Sequence, residues 1–265
     1  MATLLIGYDV ESNDTGLVEN FLNETIKVHR EFNAPCTMFV TGKVLKKNFK
    51  RFKQLLNERL VDLQQHTYSH KFLFKTIVMD DGKNQQIFRA GHLWQIAHDV
   101  RRAQNIFREL GVKCSGITAP FCYYRGLADR PEVLKILYKN GIRFIRSYGR
   151  NQNDWQPVAM EVQPFFYSLQ GFSDMMEFPI QGWQDGYWRN TYGWKDVDGY
   201  ITYLKENIDY IATKELTWGY LQHDFTSLRE NPDMRIMREF LSYAIKKGVK
   251  INTYKEEYFK SLKTR

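Results

Sequence analysis

The stretch LVDLQQHTYSHKFL, residues 60–73, joins a short strand pattern to two closely spaced histidines. Leu60 to Leu63 alternate between apolar and polar side chains, as in a half-buried β-strand. His66 and His70 follow four residues apart, although the whole chain contains only six histidines. Two imidazoles placed directly after a strand predict a functional site at the carboxyl end of that strand.

The segments on either side of this stretch alternate between strand and helix patterns. Before it, TLLIGYD (3–9) and CTMFVTG (36–42) predict strands, and each precedes a helical spacing of apolar residues. After it, CSGITAP (114–120) and WGYLQH (218–223) predict further strands. About seven β/α units in one uninterrupted chain predict an α/β fold, a distorted (β/α) barrel that forms a single domain over residues 1–265.

Two segments interrupt this alternation. Residues 71–91 are predicted as a long loop, and residues 151–195 as two strands joined by loops. A single basic amphipathic helix is predicted over residues 43–59. We find no internal repeat and no low-complexity tract.

The composition is that of a folded protein, with 43% hydrophobic and 15% aromatic residues. The net charge of +8 is spread over predicted helix faces, so we expect neither nucleic acid nor a membrane as partner. Cys36, Cys114 and Cys122 lack a metal-binding spacing and are expected to be buried thiols. The start MATLLIGYDVES lacks a signal-peptide pattern and predicts a cytoplasmic protein, with a trimmed secreted protein as the alternative.

Polar residues collect where the predicted strands end, and in a barrel these ends line one mouth. The candidates are Asp9, Glu11, His66, His70, the segment TAPF (118–121), His223 and Asp224. Two imidazoles with one carboxylate form a zinc-type ligand set that leaves positions for water and substrate. A second carboxylate could take a proton from the attacking water, and His223 could give one to a leaving amine. The pattern therefore predicts metal-dependent amide hydrolysis.

Each of these features also has a structural explanation. Histidines four apart occur by chance on helices, Asp9 could cap a turn, and His223 could be packed in the core. Three such coincidences at three strand ends are less expected than one site. His29, His92 and His98 lie inside helical patterns and are assigned to packing or surface positions.

His223 is expected to face Asp9 across the mouth, because it ends a strand late in the chain. An imidazole with the ordinary pKa of about 6.5 carries a proton near neutral pH, and a nearby carboxylate would raise that pKa. Asp224 is a candidate for orienting His223, although adjacent strand residues point to opposite faces.

The ordered set of motifs resembles the polysaccharide deacetylases, the NodB-homology group also called carbohydrate esterase family 4. HTYSH is similar to that family's H-[S/T]-x-x-H metal motif, APCTMFVTGKVL to its second strand, and GYLQHDF to its late L-x-H motif. The resemblance implies a distorted barrel with fewer than eight complete units and metal-dependent removal of acetyl groups from sugars. It also implies His66 and His70 as metal ligands, His223 as general acid, and Leu221 beside the acetyl methyl.

Two motifs depart from the family pattern. The chain has GYDVES where the family usually has T-F-D-D-G. Resemblance to members with D-x-D or D-x-E implies Asp9 as the base and Glu11 as a ligand, with exchanged roles as the alternative. TAPF stands where the family has R-A-P-Y, so Thr118 replaces the arginine that pairs with the base, and Arg125 is a candidate substitute. Such departures resemble a branch with peptidoglycan-deacetylase-like and allantoinase-like members.

The expected substrate is an N-acetylated sugar or glycan, and the expected cofactor is a divalent metal, zinc before others. Expected substrate contacts are Pro120, Phe121, Tyr123 and Leu221. Aromatic-rich loops such as FCYYRG could stack on sugar rings, or could pack in the core or in a homo-oligomer interface. The alternative functions are an allantoinase-like hydrolase of a non-sugar C–N bond and a catalytically silent carbohydrate-binding barrel.

Overall fold

The computed structural model of the chain describes residues 1–80 and 84–265. Its strands are β1 (Thr3–Val10), β2 (Cys36–Val40), β3 (Val61–Gln65), β4 (Ile77–Asp80), β5 (Gln85–Phe88), β6 (Gly116–Tyr124), β7 (Phe144–Arg150), β8 (Phe165–Tyr167), β9 (Phe172–Glu177), β10 (Thr217–His223) and β11 (Lys250–Asn252). Its helices are α1 (Thr15–Glu31), α2 (Gly42–Lys47), α3 (Phe49–Leu55), α4 (Leu93–Leu110), α5 (Pro131–Lys139), α6 (Asp185–Tyr192), α7 (Val197–Lys214), α8 (Asp224–Ser227), α9 (Arg235–Lys246) and α10 (Tyr254–Lys263). Over these described ranges, no helix is both long and apolar enough to cross a bilayer.

Seven parallel strands form the main sheet, in the order β10, β1, β2, β3, β6, β7 and β9. Strand β8 runs antiparallel to β9 at one edge, and β11 pairs with the beginning of β1. Since the seven strands are parallel, their carboxyl ends lie at one edge of the sheet, where βα loops build sites. The predicted α/β fold with about seven β/α units is confirmed.

Strand β1 shows why the chain forms this sheet. All eight of its residues are buried, because a parallel strand of such a fold is covered on both faces. Leu4, Ile6 and Tyr8 pack in the cluster that includes the apolar faces of the surrounding helices. Leu5 and Asp9 point to the opposite face, toward the barrel interior, because side chains alternate along a strand. The alternation therefore directs Asp9 inward at the carboxyl end.

Gln181 joins the two ends of the parallel sheet. Within the described ranges no ladder connects β9 to β10, and the Gln181 side chain spans this seam. Its Oε1 accepts the Gly219 N–H at 2.7 Å, and its Nε2 donates to the carbonyls of Val162 and Thr217. Its backbone carbonyl accepts the Trp218 indole N–H at 2.9 Å. A buried amide thus takes the place of strand pairing at the seam.

Three details of the predicted secondary structure were wrong. The segment predicted as a long loop, 71–91, contains the antiparallel hairpin of β4 and β5. The helix predicted over 43–59 is divided at Asn48 into α2 and α3. Helix α6 lies in the segment 151–195, which was predicted as strands and loops only.

Candidate active site

Glu11, His66 and His70 bring three metal-type donor atoms together just beyond β1 and β3. Glu11 Oε2 lies 3.0 Å from His66 Nε2 and 3.1 Å from His70 Nε2. Zinc binds such nitrogen and oxygen atoms at about 2.0–2.2 Å, so tetrahedral ligands lie roughly 3.4 Å apart. The three donors therefore fit a divalent cation, and a set of three leaves coordination positions for water or substrate.

The turn that carries the two histidines is strained and is not helical. Thr67 and His70 have φ angles of 59° and 55°, which are uncommon for residues other than glycine. Asp99 on α4 holds the turn, because its carboxylate accepts the Tyr68 N–H, the Ser69 N–H and the Ser69 hydroxyl at 2.7–3.1 Å. The two imidazole rings meet without a helical turn, and their centroids lie 4.5 Å apart.

The protonation states of Glu11 and His70 suit a cation, whereas burial alone would lower the pKa of His66 but the carboxylates of Asp9 and Glu11 raise it. His66 Nδ1 lies 3.1 Å from the Thr118 carbonyl oxygen, an arrangement that turns Nε2 toward Glu11. Burial lowers the pKa of His70 to about 4, and the charge of His66 acts in the same direction. Burial alone would raise the pKa of Glu11, but the hydrogen bond and charge of His66 hold it well below its usual range. Glu11 is therefore ionised and His70 neutral at neutral pH, as ligands must be.

Asp9 forms a buried ion pair with Arg146 on β7. Arg146 Nη2 donates to Asp9 Oδ1, while Asp9 Oδ2 lies 3.8 Å from His66 Nε2. The guanidinium is fully buried and lies 4.3 Å from the centre of the Phe39 ring. Gly7 makes room for it, because a Cβ there would clash with Arg146 Nη1. Asp9 thus has its own counter-charge and lies beside the three donors.

Arg146 occupies the place left by the motif arginine. Arg146 and Thr118 are direct partners in the β6–β7 ladder, and Arg146 Nε donates to Thr118 Oγ1 at 3.1 Å. The cation beside Asp9 therefore comes from the neighbouring strand at the same level. Arg125, the expected substitute, has an exposed side chain in the loop after β6, so that expectation was wrong.

His223 is oriented by Asp185, at the start of α6, and not by Asp224 as expected. His223 Nδ1 lies 2.9 Å from Asp185 Oδ1, while Asp185 Oδ2 accepts the His223 N–H and the Thr226 hydroxyl. Burial alone would lower the pKa of His223, but the Asp185 carboxylate outweighs burial and raises it to about 10. The imidazole is therefore protonated at neutral pH, which is the form a general acid requires.

Asp224 instead fixes the loop that carries Glu11. Its Oδ2 accepts the backbone N–H groups of Glu11 and Ser12 at 3.1 and 3.0 Å, and the residue is fully buried. Asp9 and His223 are register partners on β1 and β10. They therefore lie side by side on adjacent strands, and their expected placement across the mouth was wrong.

The three candidate metal donors, Asp9 and His223 open into one pocket of about 200 Å³. Asp9, Glu11 and the three histidines share its lining with Ala119, Phe121, Cys122, Gln184, Tyr187 and Leu221. Leu221 and Cys122 pack with Ile180 and form an apolar wall. Phe121 is 43% exposed, and its ring lies 5.8 Å from the ring of His70.

Two of the four expected substrate contacts line this pocket. Phe121 and Leu221 do, whereas Pro120 is buried beside it. Tyr123 faces the core, where its hydroxyl accepts the Phe74 N–H at 2.8 Å. An irregularity in β6 explains the difference: the five steps along the strand from Thr118 to Tyr123 face only two steps along β7, so the side chains do not alternate regularly across this stretch.

Sequence reasoning missed Arg146 and Asp185. A charged residue inside the apolar strand pattern IRFIRS was a signal for Arg146, because buried charges are almost always paired. For Asp185 we find no comparable signal, because its segment GWQDGYW was predicted as loop.

The family model for polysaccharide deacetylases matches residues 8–145. The chain belongs to the polysaccharide deacetylase family. The match includes Asp9, Glu11, His66 and His70, and membership of this family supports a hydrolase of the deacetylase type. A comparison with curated proteins gave no match.

Solved structures share the fold of this polysaccharide deacetylase at low sequence identity. A Pseudomonas aeruginosa PAO1 protein assigned as a polysaccharide deacetylase matches with a TM-score of 0.69 and 13% identity, covering 97% of this chain and 89% of its own. A Mycobacterium smegmatis protein with the same assignment gives 0.66 and 13%, with 97% and 88% covered. The PuuE allantoinase gives 0.65 and 13%, with 97% and 89% covered. At this identity, the likeness establishes the fold alone.

Proposed function

We propose that this protein removes the acetyl group from an N-acetylated sugar of a glycan. The observation that carries the proposal is a pair of buried counter-charges beside the three donors: Arg146 next to Asp9, and Asp185 next to His223. One pair offers a carboxylate and the other a protonated imidazole in the same pocket. Amide hydrolysis needs this combination, a base for the attacking water and an acid for the leaving amine.

Glu11, His66 and His70 would hold a divalent cation, and zinc suits one carboxylate with two imidazoles. When bound, the cation would polarise the amide carbonyl and lower the pKa of a water molecule. Asp99 and Asp224 hold the backbone that carries these donors, so the donor set is pre-organised.

Asp9 and His223 would divide the proton transfers between them. Asp9 takes the proton of the attacking water on Oδ2, because Oδ1 is held by Arg146. His223 gives the proton on Nε2 to the leaving amine, because Nδ1 is engaged by Asp185. Each group thus acts through the atom that its counter-charge leaves open.

The pocket suits the acetamido group alone. Its volume of about 200 Å³ is smaller than the ~300–1,000 Å³ of ordinary ligand sites, so most of the sugar would lie outside it. The apolar wall of Leu221 and Cys122 favours an acetyl methyl over the polar ureide of an allantoinase substrate. Two intact charge pairs favour an enzyme over a silent carbohydrate-binding barrel.

The test is acetate release from N-acetylglucosamine oligomers by protein stripped with a chelator and then reloaded with Zn²⁺. We expect activity only after reloading, and a drop in kcat of about 10²–10⁴-fold for Asp9→Asn at unchanged zinc content. His98→Ala, exposed on α4, is the matched control. Reloaded wild-type protein that releases no acetate, or an Asp9→Asn variant as active as the wild type, would contradict the proposal.

A further inference from the structure

Gln184 places a buried side-chain amide in the wall of the catalytic pocket. The residue immediately precedes α6, and only 6% of its surface is exposed. Its Nε2 donates to the Gly149 carbonyl at 3.1 Å, and this bond sets the orientation of the amide. Within residues 1–80 and 84–265, no group donates to its Oε1. Because buried acceptors are nearly always paired, this oxygen is a place for a donor that a ligand brings.

The Gln184 side chain lines the pocket although the residue is the N-cap of α6. An N-cap side chain usually accepts a hydrogen bond from the first turn of its helix, but in the described part of the chain Gln184 makes no such contact. Gly149 lets the amide come close, because a Cβ there would lie 2.9 Å from Gln184 Nε2 and 2.9 Å from Cys122 Cβ. Cys122 belongs to the apolar wall of the pocket. The Gln184 amide therefore lies beside the wall proposed for the acetyl methyl.

The acid of the proposed reaction lies at the same part of the pocket. Asp185, the residue after Gln184, accepts the His223 backbone N–H at 2.8 Å, and its Oδ1 lies 2.9 Å from His223 Nδ1. His223 and Gln184 thus both line the pocket next to the start of α6. A substrate nitrogen that takes the proton of His223 therefore lies close to the Gln184 side chain.

This nitrogen differs from an ester oxygen in one hydrogen. A secondary amide carries an N–H there, and an N–H taken out of water costs free energy unless it finds an acceptor. Gln184 Oε1 is such an acceptor, whereas an ester oxygen at the same place would face it with no hydrogen between them. When the C–N bond breaks, its electron pair stays on the nitrogen, which takes the proton of His223. The original N–H can donate to Gln184 throughout this step.

We propose that Gln184 is a specificity-determining residue, which accepts the amide N–H of the substrate and makes the pocket prefer N-acetyl to O-acetyl groups. The inference rests on the proposed deacetylase function and adds the residue that recognises the bond to be cleaved. It follows from three observations: the buried amide, its oxygen without a donor in the described chain, and its place beside His223 and the apolar wall.

The test compares the methyl glycosides of N-acetylglucosamine and of 2-O-acetylglucose, which differ only by N–H against O. The measurement is the ratio of their kcat/KM values for acetate release by zinc-loaded protein, because this ratio does not depend on the folded fraction of a variant. Gln184→Met nearly keeps the side-chain volume and removes the acceptor. We expect it to lower kcat/KM for the amide about 5- to 100-fold, as for a buried donor left unpaired, with little effect on the ester.

Two further variants separate the acceptor from the packing of the amide. Gln184→Glu also loses the donor to the Gly149 carbonyl but keeps an acceptor, so we expect it to retain more of the amide preference than Gln184→Met. Gln156→Met is the matched control, because Gln156 Nε2 donates to the same carbonyl. Among the described residues, Gln156 is not part of the catalytic pocket lining, so we expect the wild-type ratio.

A Gln184→Met variant with the wild-type ratio would overturn the inference, and so would Gln184→Glu or Gln156→Met variants whose ratio equals that of Gln184→Met. Acetate release from N-acetylglucosamine oligomers tests the proposed function separately and can succeed in each of these cases. If the wild type cleaves neither glycoside, calorimetric binding decides the inference. Amide binding that is tighter than ester binding and depends on Gln184 would support it, and equal binding would overturn it.

Discussion

Arg146 and Thr118 stand opposite each other in the β6–β7 ladder, and Arg146 supplies the cation beside Asp9. Neighbouring strands lie about 4.8 Å apart, so a long side chain on either strand reaches the same buried carboxylate. A buried carboxylate without a partner is costly, so a cation is needed there, whichever strand provides it. A motif that looks incomplete along the sequence is therefore complete in space.

Exchanging these two residues tests that view. We expect Arg146→Thr to lower the free energy of unfolding by about 3–5 kcal/mol, because it leaves Asp9 buried without a partner, and to reduce acetate release sharply. Adding Thr118→Arg should recover part of both losses, since it returns a cation to the same level of the ladder. Urea unfolding and acetate release measure the two effects. Arg125→Thr is the control, and a double variant no better than Arg146→Thr would contradict the exchange.

The His223–Asp185 pair predicts a shift in the pH profile. The raised pKa of about 10 keeps His223 protonated, so on the alkaline side activity should fall as the pH rises through that value. Asp185→Asn removes the opposite charge, and we expect the alkaline limb of kcat/KM to move about 1–3 pH units lower. The measurement is the pH profile of the zinc-loaded protein. If the alkaline limb of kcat/KM does not move, it reflects the titration of a group other than His223.

Among the elements, the turn after β3 depends most on a residue far along the chain. Asp99 accepts three hydrogen bonds from Tyr68 and Ser69, and it faces the strained turn from α4. We expect Asp99→Ala to weaken zinc binding about 10–100-fold, because the histidines would lose their fixed orientation. Competition with a chelator measures this affinity. Arg101→Ala, exposed on the same helix, should bind zinc like the wild type, and an equally tight Asp99→Ala would refute the role.

The sequence predicted some elements better than others for physical reasons. Strands such as β1 are buried on both faces and read as continuous apolar runs, so their positions were clear. Strand β5, QQIF, is largely exposed and lacks the alternation of a half-buried strand, so the hairpin was taken for a loop. Helix α6, DGYWRNTY, contains glycine, aromatic and β-branched residues of low helix propensity, and tertiary packing decides its form.

For the whole molecule, the sequence predicted which residues end strands but not which strands are neighbours. This difference explains why the relative positions of some site residues were predicted wrongly or missed. Asp9 and His223 were expected across the mouth, yet β10 is the immediate neighbour of β1. Likewise, Arg146 reaches Asp9 because β7 directs a long side chain into the barrel interior. Strand order is set by long-range pairing, and no local pattern records it.

The placement of β1 between β2 and β10 has a consequence for synthesis. The contact of the Glu11 N–H with Asp224 spans 213 residues, a distance that a ribosome covers in about 10–40 s at ~5–20 residues per second. During that time Glu11, His66 and His70 have already been made, while one edge of β1 still lacks its partner. Unpaired strand edges invite association with other chains, so a nascent chain is exposed to aggregation in this interval. Glu11, His66 and His70 therefore leave the ribosome long before His223 and Asp224 do.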